Sequence, residues 1–502
     1  MQKLSVPHAG SARKRVIANA QVSVARPNWD KSRLVSRIVH LGCGAFHRAH
    51  QALFTHHLLE KSDSDWGICE VNLMPGNDAR LIANLKAQNL LYTVAERGAE
   101  STELKIIGSM KEALHPEFDG HAGILAAMAR PETAIVSLTV TEKGYCTDPA
   151  SGELDVNNPL IQNDLAHPQQ PKSAIGYIVE ALNMRREQGL KAFTVLSCDN
   201  VRENGHVAKA AVLGLAKARD AALAAWIADN VTFPCTMVDR IVPAATEETL
   251  QLVADQLGVY DPCAIACEPF RQWVIEDNFV NGRPDWDTVG AQFVADVVPF
   301  EMMKLRMLNG SHSFLAYLGY LGGYDTIADT MTNPAYRRAA LALMLDEQAP
   351  TLSMPEGTDL EGYANLLIAR FTNPSLKHRT WQIAMDGSQK LPQRLLDPVR
   401  LHLQQGDDYR RLTLGVAGWM RYVGGIDEQG KTIDVVDPLL AQYQAIHQQY
   451  QTPEERVRGL LAIESIFGSD LPKNHEFVQA VTDAYQQLLQ NGAKATVEAL
   501  AK

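Results

Sequence analysis

The chain of 502 residues carries little cysteine. There are only seven, an odd number: Cys43, Cys69, Cys146, Cys198, Cys235, Cys263 and Cys267, scattered in apolar or strand-like contexts. This is not a disulfide framework, and reduced thiols fit better. Cys263 and Cys267 form a lone C-x3-C pair with no second pair nearby, so no metal site is expected. No apolar run is long enough to span a bilayer. The stretch from Met1 to Asp30 lacks the apolar core of a signal peptide and reads as a flexible leader over residues 1–24. Positive charge is not in excess: 47 Lys and Arg face 58 Asp and Glu, a formal net charge of -11. That balance argues against nucleic acid as the main partner, although a locally basic pocket could still bind a small anion. Repeats and low-complexity tracts are also missing. These absences lead us to expect a cytoplasmic enzyme with a small-molecule substrate, no nucleic-acid or membrane partner, and a monomeric or small homo-oligomeric state.

What is present is an ordinary globular composition, 46% hydrophobic and 21% charged, sufficient for two or three domains with a sizeable core. The first half alternates between two periodicities. "SRIVHLGCG" is a short apolar strand running into glycine, "FHRAHQALFTHHLLE" reads as a helix, and "DWGICEVNL" is a second strand closed by "MPGND". "LLYTVAER" and "LKIIGS" read as further strands, "HAGILAAMA" as a helix, and "TAIVSLTVTEKGY" and "LKAFTVLSCDN" as buried strands. The helix from Ser173 has an N-cap residue at its start and Gly189 at its end. Its apolar positions Ile175, Ile178, Val179 and Leu182 follow helical spacing. Strands alternating with helices predict an α/β domain with a mostly parallel sheet covered on both faces. From Pro299 onward the segments read almost wholly as helix. The expected division is therefore residues 25–295 and 296–502, with the boundary between Trp286 and Pro299.

Two stretches carry candidate chemistry. In the first, Gly42-Cys43-Gly44-Ala45-Phe46-His47 follows the first strand and opens the first helix. Two of the three glycines of the dinucleotide fingerprint G-x-G-x-x-G are present, and His47 stands at the third. Gly42, Gly44, Ala45 and Phe46 would bring backbone and helix amides to a pyrophosphate. The acid that takes the ribose hydroxyls is sought at the end of the second strand. Glu70 lies too far inside it, leaving Asn77 and Asp78. No clear arginine candidate stands there, which favours NAD over NADP.

The second stretch is "PFEMMKLRMLNGSHSFLAYLGYLGGY". At ~100° per residue, Lys304, Asn309 and His312 fall within an arc of about 140° on an otherwise apolar helix. A partly buried lysine loses ammonium stability and can serve as a general base. Asn309 and His312 could orient a hydroxyl or stabilise an alkoxide. Glu301 sits one turn earlier. A third cluster, "SCDN", places Asp199 and Asn200 at the C-terminal end of a buried strand, where open parallel sheets bind ligands. The plain alternatives are a snorkelling lysine, a packing histidine and a helix-capping asparagine.

Together, "HLGCGAFHRAHQ", "TVTEKGY", "SCDN", "MVDRI", "FVNGRP" and "KLRMLNGSH" resemble the mannitol dehydrogenase family, the polyol-specific long-chain dehydrogenases, over nearly the whole chain after the leader. Within the family the likeness is nearest to the fructuronate reductases. The resemblance implies a Rossmann-type N-terminal domain, a largely helical C-terminal domain, an active site between them and zinc-independent chemistry with NAD. It implies Lys304 as the catalytic lysine, Asn200 and Asn309 as oxyanion donors, His312 as substrate-orienting and Glu301 as a proton relay. Asp239 and Lys390 would touch substrate. Mannitol-oxidising members carry arginine eight residues before that lysine, where this chain has Gln382, which points away from mannitol. The substrate carboxylate would need a cation: Lys390 first, then Arg394 or Arg379. The implied reaction is interconversion of D-mannonate and D-fructuronate. The alternatives are a polyol dehydrogenase acting on mannitol or arabinitol, an altronate/tagaturonate oxidoreductase, a lyase using Lys304 as a Schiff-base nucleophile, and a catalytically inactive binding protein on the same scaffold.

Overall fold

A computed structural model describes residues 15–17 and 20–500. Packing divides the chain into two compact units between Val298 and Pro299. The first unit holds thirteen described strands: β1 (Arg15–Ile17), β2 (Ala20–Ala25), β3 (Val35–Leu41), β4 (Trp66–Val71), β5 (Tyr92–Arg97), β6 (Ser101–Ile107), β7 (Met110–Leu114), β8 (Ile135–Leu138), β9 (Thr194–Ser197), β10 (Thr236–Asp239), β11 (Ile265–Cys267), β12 (Gln272–Glu276) and β13 (Gln292–Val294).

Its central sheet runs β7-β4-β3-β8-β9 and every pairing in it is parallel. Buried strands with helices on both faces read as continuous Val/Ile/Leu runs, because each successive side chain meets a different covered face. Along β3, Ile38 enters one core, with Ile68, Phe54 and Trp273. Val39 and Leu41 enter the other, with Val136, Ile178 and Leu182. The helix expected after Ser173 spans Ala174–Glu187, with the Ser173 hydroxyl accepting from the Gly176 amide. The first expected helix is two, Ala45–Ala49 and Gln51–Lys61, broken at His50, whose φ/ψ of -124/-96 is not helical.

A second, mixed sheet runs β1-β2-β6-β5-β11, and a three-stranded sheet runs β10-β12-β13. The second sheet corrects the expected leader. β2 pairs in parallel with β6 across Gln21–Ala25, and Val22 is buried against Ala95 and Leu104. Alternating valines make this segment a half-buried strand, so ordered structure begins before Ala25. Residues 1–14 of the expected leader, and 18–19, lie outside the described residues.

The second unit is helical. One helix runs through Val298–Met303, a π-helical turn Lys304–Asn309 and an α-helical stretch Gly310–Leu321. Two further π-helical turns, Leu343–Gln348 and Pro392–Leu396, pack against the first. Among the described residues, no helix is long and apolar enough to cross a membrane.

Candidate functional site

In the first unit the glycine turn sits at the C-terminal end of β3. Gly42 has φ +99°, and a Cβ there would lie 2.1 Å from the Thr139 carbonyl oxygen. Only glycine allows this approach. The turn is tied down on both sides. The Gly42 amide donates to Val71 O (2.8 Å), and the Cys43 amide donates to Asn72 Oδ1 (2.6 Å). The Thr139 hydroxyl donates to Gly42 O (2.6 Å). Gly44 is exposed with open space above its Cα, and it precedes Ala45 and Phe46, whose amides have no intrahelical acceptor at a helix start. This is a backbone cradle into which an anionic group can descend.

His47, at the third fingerprint position, is fully buried. Its Nε2 lies 2.6 Å from Glu70 Oε1, and its ring stacks on His40 at 3.4 Å with 7° between planes. Burial pushes the Glu70 carboxyl up to about 7 and the His47 imidazole down to about 3. His40 continues the chain of bonds to Ser137 Oγ (2.6 Å) and Thr139 Oγ1 (2.9 Å). The close helix–strand packing that a third glycine would give is thus replaced by a polar stack across three strands. No spacing signal announced it, because Glu70 is a buried strand residue far from His47 in sequence. His40, His47 and Glu70 offer ligand atoms within 4.8 Å of one another. Parallel rings, however, send their in-plane lone pairs in parallel rather than toward one point, and these nitrogens are mostly spent on hydrogen bonds.

Of the two candidates for the ribose hydroxyls, Asn77 is exposed at the start of the Asn77–Ala87 helix. Asp78 accepts from the Met74 amide (3.2 Å), closing its own turn.

At the end of β9, Asp199 is structural. It accepts from the amides of Val140 (3.1 Å) and Thr141 (3.0 Å) and from the Tyr145 hydroxyl (2.5 Å), which holds the "TVTEKGY" segment in place. Burial raises its carboxyl. Asn200 follows it and is exposed. Asp239, at the end of β10, is buried. Their strands are joined by Asn204, a residue the sequence reading passed over. Its amide donates to Ser197 O and Asp199 O (both 3.1 Å) and to Thr236 Oγ1 (3.0 Å).

In the second unit Lys304 and Asn309 bound the π-helical turn, and both are half-buried, as is Glu301. The Gly310 amide donates to Leu305 O, an i→i+5 bond. Such a turn rotates the chain by less per residue than the α-helical wheel assumed from sequence, and π-bulges occur frequently at functional sites. Lys304, Asn309 and His312 still share one continuous helix. Arg394 braces it from a neighbouring segment, donating to Asn309 O (3.3 Å) and Ser313 Oγ (3.2 Å). Burial lowers this guanidinium to about 10.

His312 is buried and held well below its ordinary range, by desolvation first and then by His378, Arg370, Arg394 and Lys390. Its imidazole is neutral at physiological pH. Its ring meets Phe371 (4.8 Å) and His378 (5.3 Å). Lys390 donates to Ile383 O (3.1 Å), and burial, with Arg394 beside it, lowers it to about 8. Around His312 the helix therefore meets Arg370, Arg394, Lys390 and the neutral, buried His378 ring, an arrangement the sequence pattern only half revealed: Arg370 and His378 had no motif to mark them. Gln382 is exposed, and so is Arg379, whose guanidinium lies over the Trp381 ring at 5.6 Å.

Comparison with known proteins agrees with this architecture. The mannitol dehydrogenase Rossmann domain model matches residues 36–288, and the mannitol dehydrogenase C-terminal domain model matches residues 296–489. The chain is 79% identical over 484 residues to D-mannonate oxidoreductase of Escherichia coli (strain K12), covering 96% of this chain and 99% of the relative. Among solved structures it resembles Pseudomonas fluorescens mannitol 2-dehydrogenase in ternary complex with NAD and D-mannitol. That match has 38% identity and a TM-score of 0.77 and covers 100% of this chain and 99% of the other. It also resembles D-sorbitol dehydrogenase in substrate-free form, at 33% identity and a TM-score of 0.89, covering 99% and 100%. With a Rossmann sheet ending in a glycine cradle, a helical second unit and matches over nearly its full length, the chain belongs to the mannitol dehydrogenase family.

Proposed function

We propose that this chain is an NAD-dependent oxidoreductase that interconverts D-mannonate and D-fructuronate. The observation that carries the reading is 79% identity over 484 residues to a D-mannonate oxidoreductase. The glycine cradle fits a dinucleotide: Gly42 permits the tight turn, and the open face of Gly44 leaves room for a pyrophosphate beside the amides of Ala45 and Phe46. Asn77 or Asp78 would take the ribose hydroxyls. Bound there, NAD supplies the hydride acceptor.

The chain's own residues do the rest. In the oxidation direction neutral Lys304 accepts the proton of the C5 hydroxyl as hydride leaves C5. In reduction its ammonium returns that proton. Asn309 donates to the developing alkoxide, and Asn200 takes the same role that the family resemblance implies for it. Neutral His312 can orient the hydroxyl without adding a charge that would repel the Lys304 ammonium. Glu301 relays the proton toward solvent, and Asp239 binds a substrate hydroxyl. For the substrate carboxylate, Lys390 is the first candidate. Arg394 is already committed to bracing the catalytic turn, and Arg379 is exposed. Exposed Gln382 in place of the mannitol-type arginine supports a sugar acid over a polyol. The reading places the enzyme in the cytoplasm, in sugar-acid catabolism.

The test is steady-state oxidation of NADH and NADPH with D-fructuronate, D-tagaturonate and D-fructose. A large preference in kcat/KM for D-fructuronate with NADH is expected. Preference for D-fructose would make the protein a polyol dehydrogenase. Lys304→Ala should lower kcat by about 10²–10⁴-fold, the range of general acid–base catalysis, with NADH affinity unchanged. Reduction near the wild-type rate would remove the lysine from the chemistry.

A further inference from the structure

The first unit carries a second cationic place, away from the glycine cradle. A cavity of about 770 Å³ opens beside β7, the edge strand of the parallel sheet. It is lined by Lys31 and Ser32 before β3, by Lys86, Asn89 and Leu90 at the end of the Asn77–Ala87 helix, and by β7 from Lys111 to Leu114. Three lysines therefore border one cavity in a chain of net charge -11.

The local acids do not neutralise all three. Lys86 is paired with Asp119 (3.0 Å). Glu112 is spent on Arg130 (2.6 and 2.9 Å) and on the Ser36 hydroxyl. Asp30 accepts from the Ser32 amide (2.9 Å). Lys31 and Lys111 donate only to carbonyl oxygens, Asn89 O (2.6 Å) and Ser32 O (3.3 Å). Burial, and then the Lys111 ammonium, lower Lys31 to about 7. The Asn89 contact gives Lys31 a helix C-terminus to cap, but it gives no reason for Lys111 to stand nearby. The wall between them is also unusual. Asn89 and Leu90 both have positive φ, +55° and +60°. That conformation is uncommon for asparagine and strained for leucine. Like charges gathered at a concave, strained site are the arrangement expected of a ligand seat.

We propose that the Lys31–Lys111 cavity beside β7 is a binding site for a small dianion, of the sulfate or phosphomonoester type, separate from the cofactor and substrate sites. Two ammonium groups that form no close ion pair match two negative charges, the Asp30 and Glu112 carboxylates acting on Lys111 only at longer range, and Lys86 widens the positive rim.

The test is calorimetric titration of sulfate, which does not itself titrate near neutrality, into the full chain saturated with NADH, at constant ionic strength set with chloride. Saturation removes the cofactor's pyrophosphate seat from the readout. Sulfate binding requires Lys31 to be protonated, so its Kd should rise roughly twentyfold between pH 6.5 and 8.5, from a lysine titrating near 7. Lys31→Arg stays charged and should bind with a Kd that no longer changes with pH. Lys31→Gln with Lys111→Gln should lose the binding at both pH values. Acetate should bind far more weakly than sulfate to the wild type. The proposal fails if the wild type does not bind sulfate, or if Lys31→Gln/Lys111→Gln binds it with the wild-type Kd. It also fails if the Lys31→Arg protein keeps the wild-type pH dependence.

Discussion

Replacing His47 by glycine would complete the dinucleotide fingerprint in the sequence, yet the structure predicts that it damages the protein. Three losses add. The buried Glu70 carboxyl loses the His47 Nε2 at 2.6 Å and keeps only the weak Cys43 thiol beside it, and a buried polar group deprived of its main partner costs about 1–3 kcal/mol. The ring stack on His40, at 3.4 Å, is worth about 0.5–1.5 kcal/mol if it behaves like other aromatic pairs. Glycine in the Ala45–Ala49 helix costs about 0.3–0.5 kcal/mol more than histidine. The sum is about 2–5 kcal/mol, which for a unit of this size lowers Tm on the order of 10 °C. Trp273 and Trp286 lie in the same core as the first helices, so tryptophan fluorescence during heating reports the loss. Adding Glu70→Gln to His47→Gly should recover part of it, because an unpaired amide is cheaper to bury than an unpaired carboxylate. A His47→Gly protein melting within about 2 °C of wild type would refute the idea that the polar stack supports the cofactor turn.

Two further outcomes follow from the same unit. Gly42→Ala places a Cβ 2.1 Å from Thr139 O at φ +99°, so β3 and β8 must part at the turn. A measured NADH affinity within twofold of wild type would show that the turn is not the cofactor's seat, whereas a drop of at least tenfold is expected. His50 is buried with its Nε2 on Gln272 O (2.8 Å), and burial lowers it to about 3. A folded-state value below the unfolded one stabilises the fold above about pH 6.5 and loses that contribution as pH falls through it. Keeping this imidazole neutral at pH 5.5 costs the wild type about 1.4 kcal/mol. His50 packs among Phe46, Phe54 and Trp273, so His50→Phe should fold. The Tm gap between variant and wild type should shift by about 2–4 °C in the variant's favour between pH 7.5 and 5.5. A gap independent of pH would mean that His50 is not held neutral.

Local chemistry determined much of this protein. The strand–glycine–helix order at Gly42, the Ser173 cap, the alternation of Val/Ile/Leu strands with amphipathic helices and the change to all-helix at Pro299 are short-range signals. Each depends on residues within a turn or a strand length of one another, which is why the sequence alone displays the α/β unit, the helical unit and the polar face of the Lys304 helix. The motifs "TVTEKGY" and "SCDN" marked a family. Their physical link, Tyr145 and two backbone amides converging on Asp199, exists only once β8 and β9 lie side by side. The same holds for His47, whose replacement of glycine makes sense only with His40 and Glu70 on adjacent strands. It holds for Arg394, which reaches Asn309 from a distant segment, and for Lys31 and Lys111, which share a cavity because β3 and β7 belong to one sheet. The π-helical turn at Lys304 has no signature in a helical wheel, which assumes α-helical rotation throughout, and it packs against two other π-helical turns. Periodicity and caps are written in neighbours, whereas polar networks and charge clusters are written in which distant residues the sheet and the helices bring within 3 Å.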